Sequence, residues 1–159
     1  MIEIERKYLV EGKPWELYSK VKKTAIKQGY ISKSIKHTVR IRMTDKKAFI
    51  TIKGPPHGFS RAEFEYEVPY DDGVELIKMC DGGLVDKTRY VFTDKNKQMW
   101  EVDEFNGINA GLIVAELEVP SEDTKIILPP WIKKDVTFDK RYTNVYISSH
   151  PIVNEKEET

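Results

Sequence analysis

The chain has 159 residues, with 26 lysines and arginines balanced by 26 aspartates and glutamates. That length suits one domain with a substantial core, and the zero net charge gives no reason to expect nucleic-acid binding. Cys80 is the sole cysteine, which excludes an intrachain disulfide. No signal-peptide pattern opens the sequence, and no apolar run reaches membrane-span length, so a cytoplasmic protein with no membrane partner is expected.

Met1 to Val10 alternates as a strand, with Glu3, Glu5 and Lys7 on one face and Ile2, Ile4 and Tyr8 on the other. Two carboxylates so placed lie roughly 6–7 Å apart and repel by about 2–3 kcal/mol at an effective dielectric near 20. Pro14 and the apolar Trp15, Leu17, Tyr18 and Val21 predict a short amphipathic helix. Strands are predicted over 24–32, over 37–43 with Arg40 and Arg42 together, and over 48–53 after the Asp45-Lys46-Lys47 turn. Gly54-Pro55-Pro56-His57-Gly58 is a loop, and 61–69 alternates again with Arg61, Glu63, Glu65 and Glu67 on one face.

A helix is predicted from Asp71, ended by Asp81-Gly82-Gly83. Strands 85–92, 99–105 and 112–119 then present Lys87/Arg89, Glu101/Asp103 and Glu116/Glu118. Pro120 to Asp123 is read as capping a short helix toward Leu128, and 137–146 as a last helical segment. A single domain over 1–150 and a flexible acidic tail over 151–159 are expected. The fold class is α+β, mainly β: an antiparallel barrel or strongly curved sheet with helices packed outside.

Alternation alone does not say which face is buried. Polar-out would make an ordinary sandwich; charge-in would make a tunnel whose apolar outer wall needs covering. The unbroken charge on several strand faces, and the use of arginine for the cations, point to the tunnel. Polyphosphate oxygens call for lysine and arginine, while divalent cations call for carboxylates. The three histidines lack metal-ligand spacing.

Glu3-Ile4-Glu5-Arg6-Lys7 resembles the E-x-E-x-K signature of the CYTH superfamily, the triphosphate tunnel metalloenzymes. The resemblance extends through Gln28-Gly29-Tyr30, Arg40-Ile41-Arg42, Thr51-Ile52-Lys53-Gly54, Arg61-x-Glu63-x-Glu65, Asp86 to Tyr90, Glu101-Val102-Asp103 and Glu116 to Val119. The closing Pro130-Trp131 and Val136-Thr137-x-Asp139-x-Arg141-Tyr142-x-Asn144 resemble the short bacterial branch, although Lys134-Asp135 stands where relatives more often carry Gly-Glu.

That resemblance implies an eight-stranded antiparallel barrel whose lumen binds a triphosphate and a divalent cation, Mg2+ or Mn2+. It assigns Glu3, Glu5 and Glu118 to the metal. Asp103, Glu116 and Glu63 would serve a second ion or the attacking water. Arg40, Arg42, Lys53, Lys87 and Arg89 would clamp phosphate, joined by Arg61 and Lys140; Lys7 would reach the same cavity, with Tyr30 as a hydrogen-bond partner for a lysine. The implied activity is hydrolysis of inorganic tripolyphosphate by a monomer or homodimer. An adenylyl cyclase, a thiamine or nucleoside triphosphatase, and a non-catalytic polyphosphate-binding module are the alternatives.

Overall fold

The computed structural model describes residues 1–150; the expected acidic tail, 151–159, lies outside the described residues. The strands are β1 (Ile2–Val10), β2 (Lys22–Ser34), β3 (His37–Met43), β4 (Ala48–Lys53), β5 (Ser60–Val68), β6 (Asp81–Thr93), β7 (Met99–Phe105), β8 (Ile113–Glu118) and β9 (Ile132–Asp135). The two α-helices among the described residues are α1 (Tyr70–Lys78) and α2 (Asn144–Ser149). Among the described residues no helix is long and apolar enough to cross a membrane.

Strands run in the order β5-β4-β3-β2-β6-β7-β8-β1, all antiparallel, and β1 returns to β5 through Ile2↔Ala62, Glu3↔Arg61 and Ile4↔Ser60. This closes the predicted eight-stranded barrel. The edge of β1 opposite β8 is divided: β5 takes residues 2–4, and β9 takes Tyr8 to Val10. The ninth strand was not predicted, because Ile132-Lys133-Lys134-Asp135 is too short and too charged to alternate visibly.

The faces are inverted relative to an ordinary barrel. Tyr8, Phe92, Trp100, Val102, Ala115, Leu117, Val119 and Trp131 form a buried cluster on the outer wall of β1, β6, β7 and β8. Trp15 stacks on Tyr90 at 4.0 Å between ring centroids, and Tyr18 stacks on Phe92 at 4.3 Å. These residues come from the segment expected to be a helix, which instead makes a single 3-10 turn, Pro14–Leu17, and then runs extended. Flat ring-on-ring cover suits an extended segment, which lays successive aromatics along the wall.

The helix expected after Pro120 does not form. Ser121 and Thr124 close a turn, and Ile127 then exchanges hydrogen bonds with the Gln98 side chain. Pro129 and Pro130 disfavour the α conformation in the residue before each, which holds this stretch extended. Across β3 and β4, α1 supplies the cover, and an added Cβ on Gly73 would stand 2.3 Å from Ala48 Cβ. Only a glycine lets the helix approach so closely.

The last helical segment is also redistributed, into a 3-10 turn at Lys140–Tyr142 and then α2. Thr143 resets the start by accepting a hydrogen bond from the Tyr146 amide as N-cap. α2 differs from α1 in its placement. Its Ile147 packs with Val85, Phe105, Leu112 and Val114, with Leu9 and Tyr142 against them. Val85, Phe105 and Val114 share the inward face with Lys87, Asp103 and Glu116, so an apolar stopper and α2 fill one end of the lumen. Gly82-Gly83 therefore does not end α1 but begins β6; a Cβ on Gly83 would meet the Ser148 carbonyl at 2.5 Å.

Candidate active site

The inward faces enclose a cavity of about 830 Å3. Among the expected residues, Glu3, Glu5, Lys7, Tyr30, Arg40, Arg42, Lys53, Arg61, Glu63, Arg89, Glu116, Glu118 and Lys140 all line it. Lys87 and Asp103 do not. Both are almost wholly buried on the inward face at the stoppered end of the lumen, where the Lys87 ammonium donates to Asp103 Oδ2 at 2.7 Å and Asn144 Oδ1 at 3.0 Å. Arg89 donates to both Asp103 oxygens, at 2.8 and 2.9 Å. Asp103 thus anchors two cations with both oxygens in use.

The cations are held, but unequally. Lys53 donates to Glu3 at 2.9 Å and lies 3.9 Å from Glu63; Lys7 lies 3.7 Å from Glu116 and donates to the Tyr142 carbonyl at 3.3 Å. Arg89 also meets Glu101 at 2.6 Å. Arg61 folds back onto the Gly54 carbonyl, with contacts of 2.9 and 2.6 Å. Arg40 Nη2 reaches Thr51 at 3.1 Å and Glu65 at 3.4 Å. Its Nε has no hydrogen-bond partner, and it is the one buried side-chain polar atom so orphaned among the described residues. A buried guanidinium N–H without an acceptor is costly unless an anion supplies one.

The carboxylates divide in the same way. Burial would raise Glu116, but Lys7 and Arg89 outweigh it and hold Glu116 down at about 2. Asp103 is likewise held far below the usual carboxylate range: Arg89 and Lys87 overcome its burial. Burial and a hydrogen bond to Glu3 push Glu63 up to about 7. Burial, together with Glu116 and Glu3, pushes Glu5 well above the ordinary value. Lys87, desolvated and near Arg89 and Arg42, is lowered to about 7 despite Asp103.

Backbone register also sets carboxylates against one another around Glu5. It pairs with Glu118 across β1 and β8, and Glu101 pairs with Glu116 across β7 and β8, so like charges stand directly opposite on one face. Arg89 bridges the second pair, at 2.6 and 3.9 Å. No side-chain cation pairs with Glu5 or Glu118 among the described residues. Glu118 too is raised, by burial, Glu3 and Glu101. Among the described residues no three acidic, histidine or cysteine side chains converge as a ready-made metal cage. The uncompensated oxygen donors of Glu5 and Glu118, with Glu3 beside them, nonetheless fit a hard divalent cation.

A CYTH domain family model matches residues 1–148. The chain belongs to the CYTH family. An inorganic triphosphatase from Acetivibrio thermocellus is 39% identical over 156 residues, covering 98% of each chain. A second, from Nitrosomonas europaea, is 36% identical over 148 residues, covering 91% of this chain and 95% of the relative. The crystal structure of the inorganic triphosphatase NE1496 superimposes with a TM-score of 0.68 at 32% identity, covering 92% of this chain and 97% of that one. CYTH membership carries divalent-metal use and a small-molecule triphosphate substrate.

The CYTH cavity and the wall behind it contain residues to which sequence reasoning gives no role. Thr51, Glu65 and Glu101 each sit two positions from an expected site residue, so extending the period-2 face would have found them. Gln28 stood inside a quoted motif without a role. Asn144 carried no strand signal, because it reaches Lys87 from α2. At the rim, Phe59 meets Phe138 edge-on at 5.8 Å, and Tyr146 stacks on His150 at 4.1 Å.

Proposed function

We propose that this protein hydrolyses inorganic tripolyphosphate to pyrophosphate and orthophosphate, with Mg2+ or Mn2+, in the cytoplasm. The observation that carries this reading is the orphaned Nε of Arg40, buried in a cavity wall beside Arg42 and aimed at no acceptor of the protein's own. A polyanion fills that need, and the inorganic triphosphatases similar to this chain support the choice of polyanion.

In this reading Arg40, Arg42, Lys53 and Lys7 bind phosphoryl oxygens within the barrel, while Arg61 and Lys140 serve the mouth. Arg89 orders the wall by holding Asp103, Glu101 and Glu116 in place. Glu3, Glu5 and Glu118 would hold the cation. When bound, it neutralises charge on the triphosphate and polarises the phosphoryl group. Glu63 and Glu116 orient water in line with the terminal phosphorus. The new P–O bond forms from water and the bridging P–O bond breaks, leaving pyrophosphate. Asp103 positions Lys87 and Arg89 rather than binding metal.

The rim aromatics, together with a volume well beyond that of tripolyphosphate, favour a second reading in which organic triphosphates enter. Incubating the protein with tripolyphosphate, ATP and thiamine triphosphate, each with Mg2+ or Mn2+, separates the two. Orthophosphate release fastest from tripolyphosphate is expected. Cyclic AMP from ATP, or tight binding of all three without turnover, would overturn the proposal.

A further inference from the structure

Gln28 is wholly buried in the inner wall and bridges two cavity residues. It lies on β2 directly opposite Arg42 of β3. Arg42 Nε donates to Gln28 Oε1 at 2.8 Å, and Gln28 Nε2 donates to the Tyr30 hydroxyl at 3.3 Å. The order of these bonds is forced. Arg42 Nε has only a proton to offer, so the amide must turn its oxygen toward it. The amide nitrogen then faces Tyr30 and can only donate, so the Tyr30 oxygen accepts. The single hydroxyl proton of Tyr30 is thereby directed away from Gln28. Tyr30 lines the cavity, and among the described residues no hydrogen bond from its hydroxyl to another protein group competes for that proton.

The same amide has an electrostatic consequence. Arg40, Arg89, Lys53 and Lys7 each have a carboxylate within 4 Å. Among the described residues Arg42 has none; its partner is the neutral Gln28 amide. Burial, with Arg40 and Arg89 nearby, lowers Arg42 to about 9, the mark of a guanidinium whose charge is not locally cancelled. A carboxylate at position 28 would hold the side chain equally well but neutralise it. The glutamine fixes Nε and leaves the two terminal nitrogens, with full charge, for a phosphate.

We propose that Gln28 is a positioning residue that sets hydrogen-bond direction in the site: it makes Tyr30 a proton donor into the cavity and presents Arg42 as an uncompensated cation. This rests on the triphosphatase reading of the cavity, with the Tyr30 hydroxyl and Arg42 both meeting phosphoryl oxygens. Because the residue acts through two others, its effect on rate and its effect on folding are separable.

Gln28→Glu, close in shape and opposite in hydrogen-bond sense at Nε2, is the decisive variant. Its carboxylate accepts the Tyr30 proton and cancels the Arg42 charge. Turnover of tripolyphosphate should fall by on the order of tenfold to a hundredfold, with a raised KM, while Tm changes little. Combined with Tyr30→Phe, it should cost little further kcat beyond Tyr30→Phe alone, since both remove the same donor. A purely structural residue would instead lower Tm with kcat and KM intact, or give losses that multiply in the double variant; either result overturns the proposal. If Gln28→Glu does not fold, Gln28→Met, which keeps the volume and removes both bonds while leaving the Arg42 charge, tests the positioning part: kcat should fall severalfold, and an unchanged kcat overturns the proposal. Wild-type protein that releases no phosphate would refute the triphosphatase reading by itself. Tripolyphosphate affinity by calorimetry then decides the Arg42 part: at least about tenfold weaker binding by Gln28→Glu supports it, and unchanged binding overturns it.

Discussion

The two faces of the wall formed by β1, β8, β7 and β6 are alike in backbone and opposite in chemistry. The outer face buries Tyr8, Trp100, Val102, Ala115 and Leu117 with well-packed rings, and every contact favours folding. The inner face places Glu5 against Glu118 and Glu101 against Glu116, and among the described residues only the second pair has a cation, Arg89, between its members. Along this wall the outer face carries packing and the inner face carries charge, except at the stoppered end, where inward Val85, Phe105 and Val114 pack with Ile147. Away from that end, a side chain's parity along the strand decides which of the two a substitution will disturb.

The sharpest break in that division comes from the outer face. Trp100 is fully buried, packed edge-on against Tyr8 and Trp131. Trp100→Ala should cost about 3–5 kcal/mol by cavity formation and lower Tm by on the order of 10 °C. Its KM for tripolyphosphate, measured where both proteins are folded, should match wild type. A KM change larger than the stability change would blur the two faces.

Next is Asp94, which closes the β6–β7 turn by accepting from Trp100 Nε1 at 2.8 Å, from Gln98 Nε2 at 2.8 Å and from the amides of Asn96 and Gln98. Burial alone would raise its pKa, but the Trp100 and Gln98 donors outweigh it and lower it. A carboxylate depressed on folding stabilises fully above its unfolded pKa of about 4, and that contribution is lost as pH falls through the folded value. Asp94→Asn should cost about 1–3 kcal/mol at neutral pH by setting donor against donor. The gap to wild type in chemical-denaturation curves should narrow below about pH 4; a pH-independent gap would contradict the assignment.

The smallest effect is expected where the outer wall lacks cover. On β5, Phe64 and Tyr66 remain 47% and 58% exposed, although they sit on the same outer face as the buried cluster. Tyr66→Ser should change stability by no more than about 0.5 kcal/mol. A larger loss would mean that the outer face stabilises through strand pairing rather than through the aromatic cover.

The strands were legible because period-2 alternation survives inversion: the same pattern marks a barrel whichever face is wet. The direction of the faces was not legible from alternation; the family motifs supplied it. What the sequence hid are features that depend on distant partners. Lys87 and Asp103 share a strand face with Arg89 and Glu101, yet the apolar stopper of Phe105, Val114 and Ile147 encloses that end and shuts both off from the cavity. The segment over 15–21 looks helical by periodicity and that over 121–128 by its capping residues, but neither forms an α-helix: the first packs its aromatics on the wall and the second ties to Gln98. Glu3, Glu5 and Glu118 line one cavity, and register sets Glu5 opposite Glu118 with no side-chain cation paired to either among the described residues.

Glu5→Gln tests the separation of faces at its most exposed point. Glu5 is raised by burial, Glu116 and Glu3, so folding with it ionised costs stability at neutral pH, whereas an amide removes the repulsion. Turnover and Tm measured on one metal-free preparation, with Mg2+ or Mn2+ added back for the assay, give both readings. Tripolyphosphate hydrolysis should fall by at least about a hundredfold while the metal-free Tm equals or exceeds wild type. Wild-type turnover, or a lower metal-free Tm, would contradict the account.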